Sequence, residues 1–140
     1  MIGSPSRTRI CDPMINSQLA YLLNGSQLYI GPDTVVTHMA AALGIPTIAL
    51  FGPSNPVKWG PWPKTWNRLI NPYQRQESQQ QQNVYLVQGP GYCIPCLEEG
   101  CQRHRNSFSR CLEQLSVQQV IAAIATLTQT NEATQFIVQY

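Results

Sequence analysis

Charged residues are few in this chain. Lys, Arg, Asp and Glu make up 11% of its 140 residues, less than half the roughly 25% of an average globular chain. Nine basic residues against seven acidic ones leave a net charge of only +2. So weak an imbalance cannot build the basic stripe that binding by counterion release requires, and nucleic acid is not expected as a partner. Long apolar runs are missing as well. The longest, Met39 to Phe51, has 13 residues and is broken by Gly44 and Pro46, whereas a membrane-spanning helix needs about 20. The opening Met1-Ile-Gly-Ser-Pro-Ser-Arg7 has no apolar segment of the kind a secretory signal carries, which predicts a cytoplasmic location. The five cysteines are an odd number, and without an export signal they argue against a scaffold stapled by disulfides alone. What the chain has in quantity is apolar residues, at 43%, which excludes charge-driven disorder. A chain of this length buries about two-thirds of its unfolded surface, enough for one core and too little for two domains.

Residues 1–15 show no hydrophobic period and read as an irregular lead-in. Ser17 precedes Leu19, Leu22 and Leu23 at helical spacing, with Asn24-Gly25 as a stop, which predicts a short amphipathic helix. A brief strand at Leu28 to Ile30 should end at Gly31-Pro32. Asp33 and Thr34 then suit the cap of an Ala-rich helix from Val35 to Leu43, closed by Gly44. Pro46 to Phe51 is continuously apolar and bounded by Gly52-Pro53, as in a parallel strand covered on both faces. Helix, strand, helix and strand at this spacing predict an α/β fold. Four prolines with Trp59 and Trp62 between Pro53 and Pro63 predict a stiff loop without regular structure. A short strand is expected at Arg68 to Ile70. Gln74 to Asn83, with six glutamines, reads as a flexible low-complexity excursion without chemistry. Val84 to Val87 suits another strand, and Ser116 opens a last helix carrying Val117, Val120, Ile121, Ile124 and Leu127 at helical spacing. Residues 129–140 are expected to form a loosely held tail, in which Phe136 to Val138 can add a strand.

The junction at Gly31-Pro-Asp-Thr34 concentrates the chemistry. A parallel sheet binds ligands at the carboxyl ends of its strands, and a helix start there offers free N–H groups and about half a positive charge to a phosphate. His38 lies four residues after Thr34, so the two share a helix face, and helical side chains lean toward the amino end. Asp33, Thr34 and His38 can therefore converge on one ligand. A carboxylate repels a diphosphate, so Asp33 fits better accepting from sugar hydroxyls or capping the helix. The residues equally allow Asp33 and Thr34 as plain caps and His38 as a packing residue.

The run Leu28-Tyr-Ile-Gly-Pro-Asp-Thr-Val-Val-Thr-His38, continuing through Gly52-Pro-Ser-Asn-Pro56 to Trp59-Gly-Pro61, resembles glycosyltransferase family 9, the heptosyltransferases of lipopolysaccharide core assembly. The likeness extends over most of residues 15–128 to that family's carboxyl-terminal, donor-binding domain. It implies a Rossmann-like parallel sheet within a GT-B enzyme, and a sugar-diphosphate site for an ADP-heptose-like donor at Asp33, Thr34, Val35 and His38. Ser54 and Asn55, after the next strand, should line the same crevice, or simply form a tight turn between Pro53 and Pro56.

Such enzymes invert the anomeric centre as a base deprotonates an acceptor hydroxyl and the nucleotide diphosphate leaves, with no metal required. Two departures matter. Where the family pattern has Gly after Asp-Thr, this chain has Val35, whose branched Cβ occupies space a phosphate would use. The resemblance also implies that the acceptor domain with the catalytic base, and the first strands of the donor domain, lie outside these residues. No catalytic residue is therefore expected here, and the chain is expected to be a fragment or to need a partner. The acceptor implied is a glycolipid, which suggests peripheral contact with the inner face of the membrane.

Cys93-x2-Cys96-x4-Cys101-x9-Cys111 puts four thiols within 19 residues. Four soft ligands suit a tetrahedral structural zinc, but only one Cys-x2-Cys knuckle is present, so zinc, reduced thiols and a disulfide all remain open. Cys11 reads as a separate buried thiol. Arg103, Arg105 and Arg110 in this loop can face a phosphorylated acceptor or an anionic membrane surface, or form a solvated rim. The competing reading is a zinc-stabilised, non-catalytic interaction module with a degenerate nucleotide fold.

Overall fold

A computed structural model describes residues 16–104 and 106–137. The lead-in at 1–15 with Cys11, Arg105, and residues 138–140 with Val138 lie outside the described residues. Leu19, Leu22 and Leu23 recur on helix α1 (Asn16–Asn24), which rests against α2 (Val35–Leu43) through a cluster of Leu23, Ala40 and Ile45. Between the two helices runs strand β1 (Tyr29–Pro32). Gly44 closes α2 at φ 84° and sends its N–H back to the Ala40 and Ala41 carbonyls, a left-handed stop that glycine adopts without a Cβ penalty.

β1 pairs in parallel with β2 (Thr47–Phe51), which pairs in parallel with β4 (Val84–Gln88). The short β3 (Gln79–Gln81) joins β4 antiparallel at the outer edge, giving the order β1-β2-β4-β3. This mixed, mostly parallel sheet with helices on both faces is Rossmann-like. Alternation decides which side chain meets which layer. Ala49, Phe51, Val84 and Leu86 pack with Ala41 of α2, while Ile48 and Val87 pack with Ala123 and Leu127 of α5 (Val117–Ile137) on the opposite face. Ser116 caps α5 by accepting from the Gln119 N–H at 3.2 Å, and Gln119 Oε1 accepts in return from the Ser116 N–H, the reciprocal arrangement of a capping box. No helix among the described residues is long and apolar enough to cross a membrane.

Four sequence expectations are corrected. The Pro53–Pro63 loop contains one helical turn, α3 (Pro56–Trp59), because Pro56 stands at the first helical position, where its missing N–H costs nothing, and Asn55 caps it. Arg68 to Ile70 is not a strand: its apolar side chains have no layer to enter, so Leu69 and Ile70 lie exposed, and the Trp66 indole N–H bonds the Ile70 carbonyl. The glutamine tract is ordered in part as β3. Gln79 holds it by accepting from the Gln74 N–H at 2.8 Å while donating to the Gln74 carbonyl at 3.0 Å. Phe136 and Ile137 continue α5 and form no strand, so helix extends through most of the expected tail.

The proline-rich segment is pinned by Tyr73, whose hydroxyl donates to the Pro61 carbonyl at 2.6 Å. Burial holds the Tyr73 phenol well above the ordinary tyrosine range. A phenol kept protonated in the fold but ionised in the unfolded chain stabilises fully below pH about 10, and the benefit falls by up to about 1.4 kcal/mol per pH unit above it. Tyr73→Phe should cost about 1–2 kcal/mol at neutral pH and flatten that alkaline loss, as followed by urea unfolding between pH 7 and 11.

Candidate functional site

The register aligns Pro32 with Leu50, and Phe51 with Gln88. The loops leaving at Asp33, Gly52 and Gly89 therefore emerge together at the carboxyl edge of the sheet. They border a cavity of about 750 Å³ lined by Asp33, Ser54, Lys58, Trp59, Glu98 and Ser109, among others. Asp33 and Ser54 both line it. Thr34, Val35 and His38 stand beside it at the start of α2. His38 turns back onto Asp33, Nε2 to Oδ1 3.6 Å, an ion pair whenever the imidazole is protonated. Asn55 is nearly buried, and its Oδ1 accepts from the Val57 N–H at 3.1 Å, so its side chain is engaged in capping α3.

Thr34 occupies the cap position of α2 but makes no side-chain cap bond. Its carbonyl accepts from the Thr37 and His38 N–H groups, while its hydroxyl leaves the first amides of the helix without a side-chain cap. Val35 is exposed at that start. Thr37, buried behind it, locks α2 to β1 by donating to the Pro32 carbonyl. Among the described lining residues Lys58 supplies the positive charge, and of the three carboxylates Asp33 faces His38 while Glu98 lies 3.5 Å from the Arg103 Nε.

Sequence reading missed Lys58, Trp59 and Ser109. Their signal was faint, since α3 is four residues long and Ser109 belongs to a loop 50 positions away in sequence.

Behind Glu98 and Gly100 the same loop forms a second cavity, of about 530 Å³, lined by Cys93, Cys96, Cys101 and Cys111 with Arg103 and Arg110. All four cysteines are free. Burial pushes the Cys111 thiol above its ordinary range; the Leu112 N–H opposes this and the neighbouring Cys96 and Cys101 reinforce it. Among the described residues no three His, Cys, Asp or Glu side chains stand together as a ready metal-binding group.

The sequence profile of glycosyltransferase family 9 (heptosyltransferase) matches residues 3–87, more than half of the chain and all of the strand-and-helix frame around Asp33. The chain belongs to glycosyltransferase family 9. Within the family it is similar to lipopolysaccharide heptosyltransferase 3 of Escherichia coli, 36% identical over 59 residues that are 42% of this chain and 17% of that protein. Lipopolysaccharide heptosyltransferase 1 of Pseudomonas aeruginosa is 29% identical over 101 residues, 72% of this chain and 23% of the relative. Lipooligosaccharide heptosyltransferase 2 of Campylobacter jejuni is 24% identical over 119 residues, 85% of this chain and 31% of the relative. The chain thus spans less than a third of the length of each of these family 9 relatives. No solved structure matches it significantly.

Proposed function

We propose that this chain is the donor-binding part of an inverting, heptosyltransferase-like GT-B enzyme of lipopolysaccharide or related glycan synthesis. The observation that carries the reading is the 750 Å³ cavity at the carboxyl edge of the sheet, with Asp33 on its wall and the uncapped start of α2 beside it. A nucleotide diphosphate places its charge between the first amides of α2 and Lys58. Asp33, held by His38, accepts from the sugar hydroxyls, with Ser54 as a further hydrogen-bonding group. As the diphosphate departs its charge grows, and the amides and Lys58 stabilise it without reorganising. The base that deprotonates the acceptor comes from a part of the enzyme outside this chain, so none of these residues is assigned a proton-transfer role. No metal is assigned to the transfer step. The acceptor is a glycolipid at the inner face of the membrane, toward which the exposed Arg103 and Arg110 present positive charge.

Calorimetric titration with an ADP-sugar tests the reading. Saturable binding at or below millimolar donor supports it; heat without a midpoint at that concentration overturns it in favour of a non-transferring interaction module. His38→Ala is expected to weaken the donor several-fold, by freeing Asp33 to move and to repel the diphosphate, with little change in melting temperature because the ring is half-exposed. An equal loss of stability would place His38 among the packing residues instead.

A further inference from the structure

The net positive charge of the chain sits in one segment. Residues 60–76 hold Lys64, Arg68 and Arg75, three of the nine basic residues, and none of the seven acidic ones, so the remainder of the chain is net negative. The same segment displays apolar side chains to water. Leu69 is fully exposed, Ile70 is 63% exposed, and Trp62, between the buried Pro61 and Pro63, is 44% exposed. Apolar groups gathered on a surface and rimmed by polar ones mark a protein- or membrane-binding site. We infer that this segment is a membrane-contact element: Trp62, Leu69 and Ile70 enter the headgroup region of an anionic bilayer while Lys64, Arg68 and Arg75 meet the lipid phosphates.

The exposed side chains stand on a pinned turn. Asn71 Nδ2 donates to the Val57 carbonyl at 2.6 Å, the Tyr73 hydroxyl to the Pro61 carbonyl at 2.6 Å, and the Trp66 indole N–H to the Ile70 carbonyl at 2.9 Å. A backbone held in this way keeps Leu69 and Ile70 out of the core, and each forgoes the stabilisation that burial gives. Arg68 lies over the Trp66 ring, 5.2 Å from its centroid, which puts a cation and an aromatic face together at the base of the turn. Trp66, Arg68 and Ile70 line a hollow of about 410 Å³ with Gln74 and Gln76, the neighbours of Arg75, and with Glu77 as the carboxylate on that lining. At a bilayer surface aromatic rings settle at headgroup level, and each Lys or Arg adds attraction to anionic lipid. Single-stranded nucleic acid also takes rings and cations, but Leu69 and Ile70 have no π face on which a base could stack, so the bilayer is the better fit. Val57, tied to Asn71, belongs to α3, whose Lys58 and Trp59 border the donor cavity. A chain seated by this turn therefore holds that cavity near the lipid surface. The meaning of that placement for a glycolipid acceptor rests on the proposed function; the bilayer contact itself does not.

All three tryptophans of the chain lie within residues 59–66, so intrinsic fluorescence reads the segment directly. With vesicles of phosphatidylcholine and phosphatidylglycerol in equal parts, the emission should shift to the blue and be quenched by brominated lipid, and the chain should sediment with the vesicles. Vesicles of phosphatidylcholine alone should bind it at least tenfold more weakly, since each of the three cations contributes about fivefold at an anionic surface, and added salt should narrow the difference. Leu69→Ser combined with Ile70→Ser should lower the partition coefficient by roughly tenfold or more and leave the melting temperature unchanged, because both side chains are exposed. Ile121→Ser is the control: Ile121 is exposed on α5, on the face of the sheet opposite α2, and the variant should bind as the parent does. Absence of the blue shift and quenching with anionic vesicles overturns the inference, as does equal binding to phosphatidylcholine alone or parental partition in the double variant. Capture of a single-stranded oligonucleotide without vesicle binding overturns it in favour of nucleic acid. No donor is used, so this result and the ADP-sugar titration fail or succeed separately.

Discussion

Gly89→Ala is expected to destabilise the fold by about 3 kcal/mol or more, at the upper end of what overpacking costs. A Cβ at this position would lie 1.9 Å from the Cys111 carbonyl oxygen and 2.6 Å from its carbon. Both atoms are backbone, so no side-chain rotation relieves the clash. Moving Gly89 away is resisted too, because its N–H donates to the Phe51 carbonyl at 2.7 Å and extends the β2–β4 pairing. The alternative is to push away α4 (Arg110–Glu113), and with it the buried Cys111. For a domain of this size such a loss lowers the melting temperature by roughly 10 °C. Gly25→Ala is the control: its Cβ would meet only the Leu22 carbonyl at 3.7 Å, an ordinary contact, and the melting temperature should stay within about a degree or two. Equal midpoints for the two variants would mean that the sheet edge and α4 do not approach as closely as described.

Lys58→Ala should weaken ADP-sugar binding by roughly ten- to a hundredfold, the range for a hydrogen bond to a charged group of about 1.5–3 kcal/mol. The residue is exposed on α3, so its removal leaves no buried partner behind, and thermal stability should hardly change. Its charge lies on the same cavity wall as Asp33, Glu98 and Glu99. Without it a diphosphate meets those carboxylates with only the α2 amides in its favour. Lys58→Arg should retain most of the affinity, and raising the salt should weaken the parent more than Lys58→Ala, since screening acts on the charge the variant lacks. Unchanged affinity in Lys58→Ala would move the diphosphate to another part of the cavity.

Much of this was legible along the chain where neighbours in sequence are also neighbours in space. Thr34 and His38 share a face because a helix repeats every 3.6 residues. Thr47 to Phe51 had to be a covered parallel strand because a continuous apolar run has no polar side to give to water, and it is buried apart from a partly exposed Leu50. Gly44 stopped α2 for a local reason of the same kind. The glutamine tract deceived for the converse reason. It lacks apolar alternation, and β3 forms because the free edge of β4 and the tract's own amides satisfy its backbone. Arg68 to Ile70 had the residue types of a strand and no edge to join.

From residue order alone came the βαβ frame, the glycine stop, the family likeness and the placing of Asp33, Thr34 and His38 at a helix start, all products of short-range geometry. Tertiary structure alone decided that Lys58 and Trp59 share a cavity with Ser109, that Asn55 turns inward to cap α3, and that four thiols line one space. Such meetings depend on the parallel register that brings three strand ends to one edge, and no local periodicity encodes which loops will lie beside each other there.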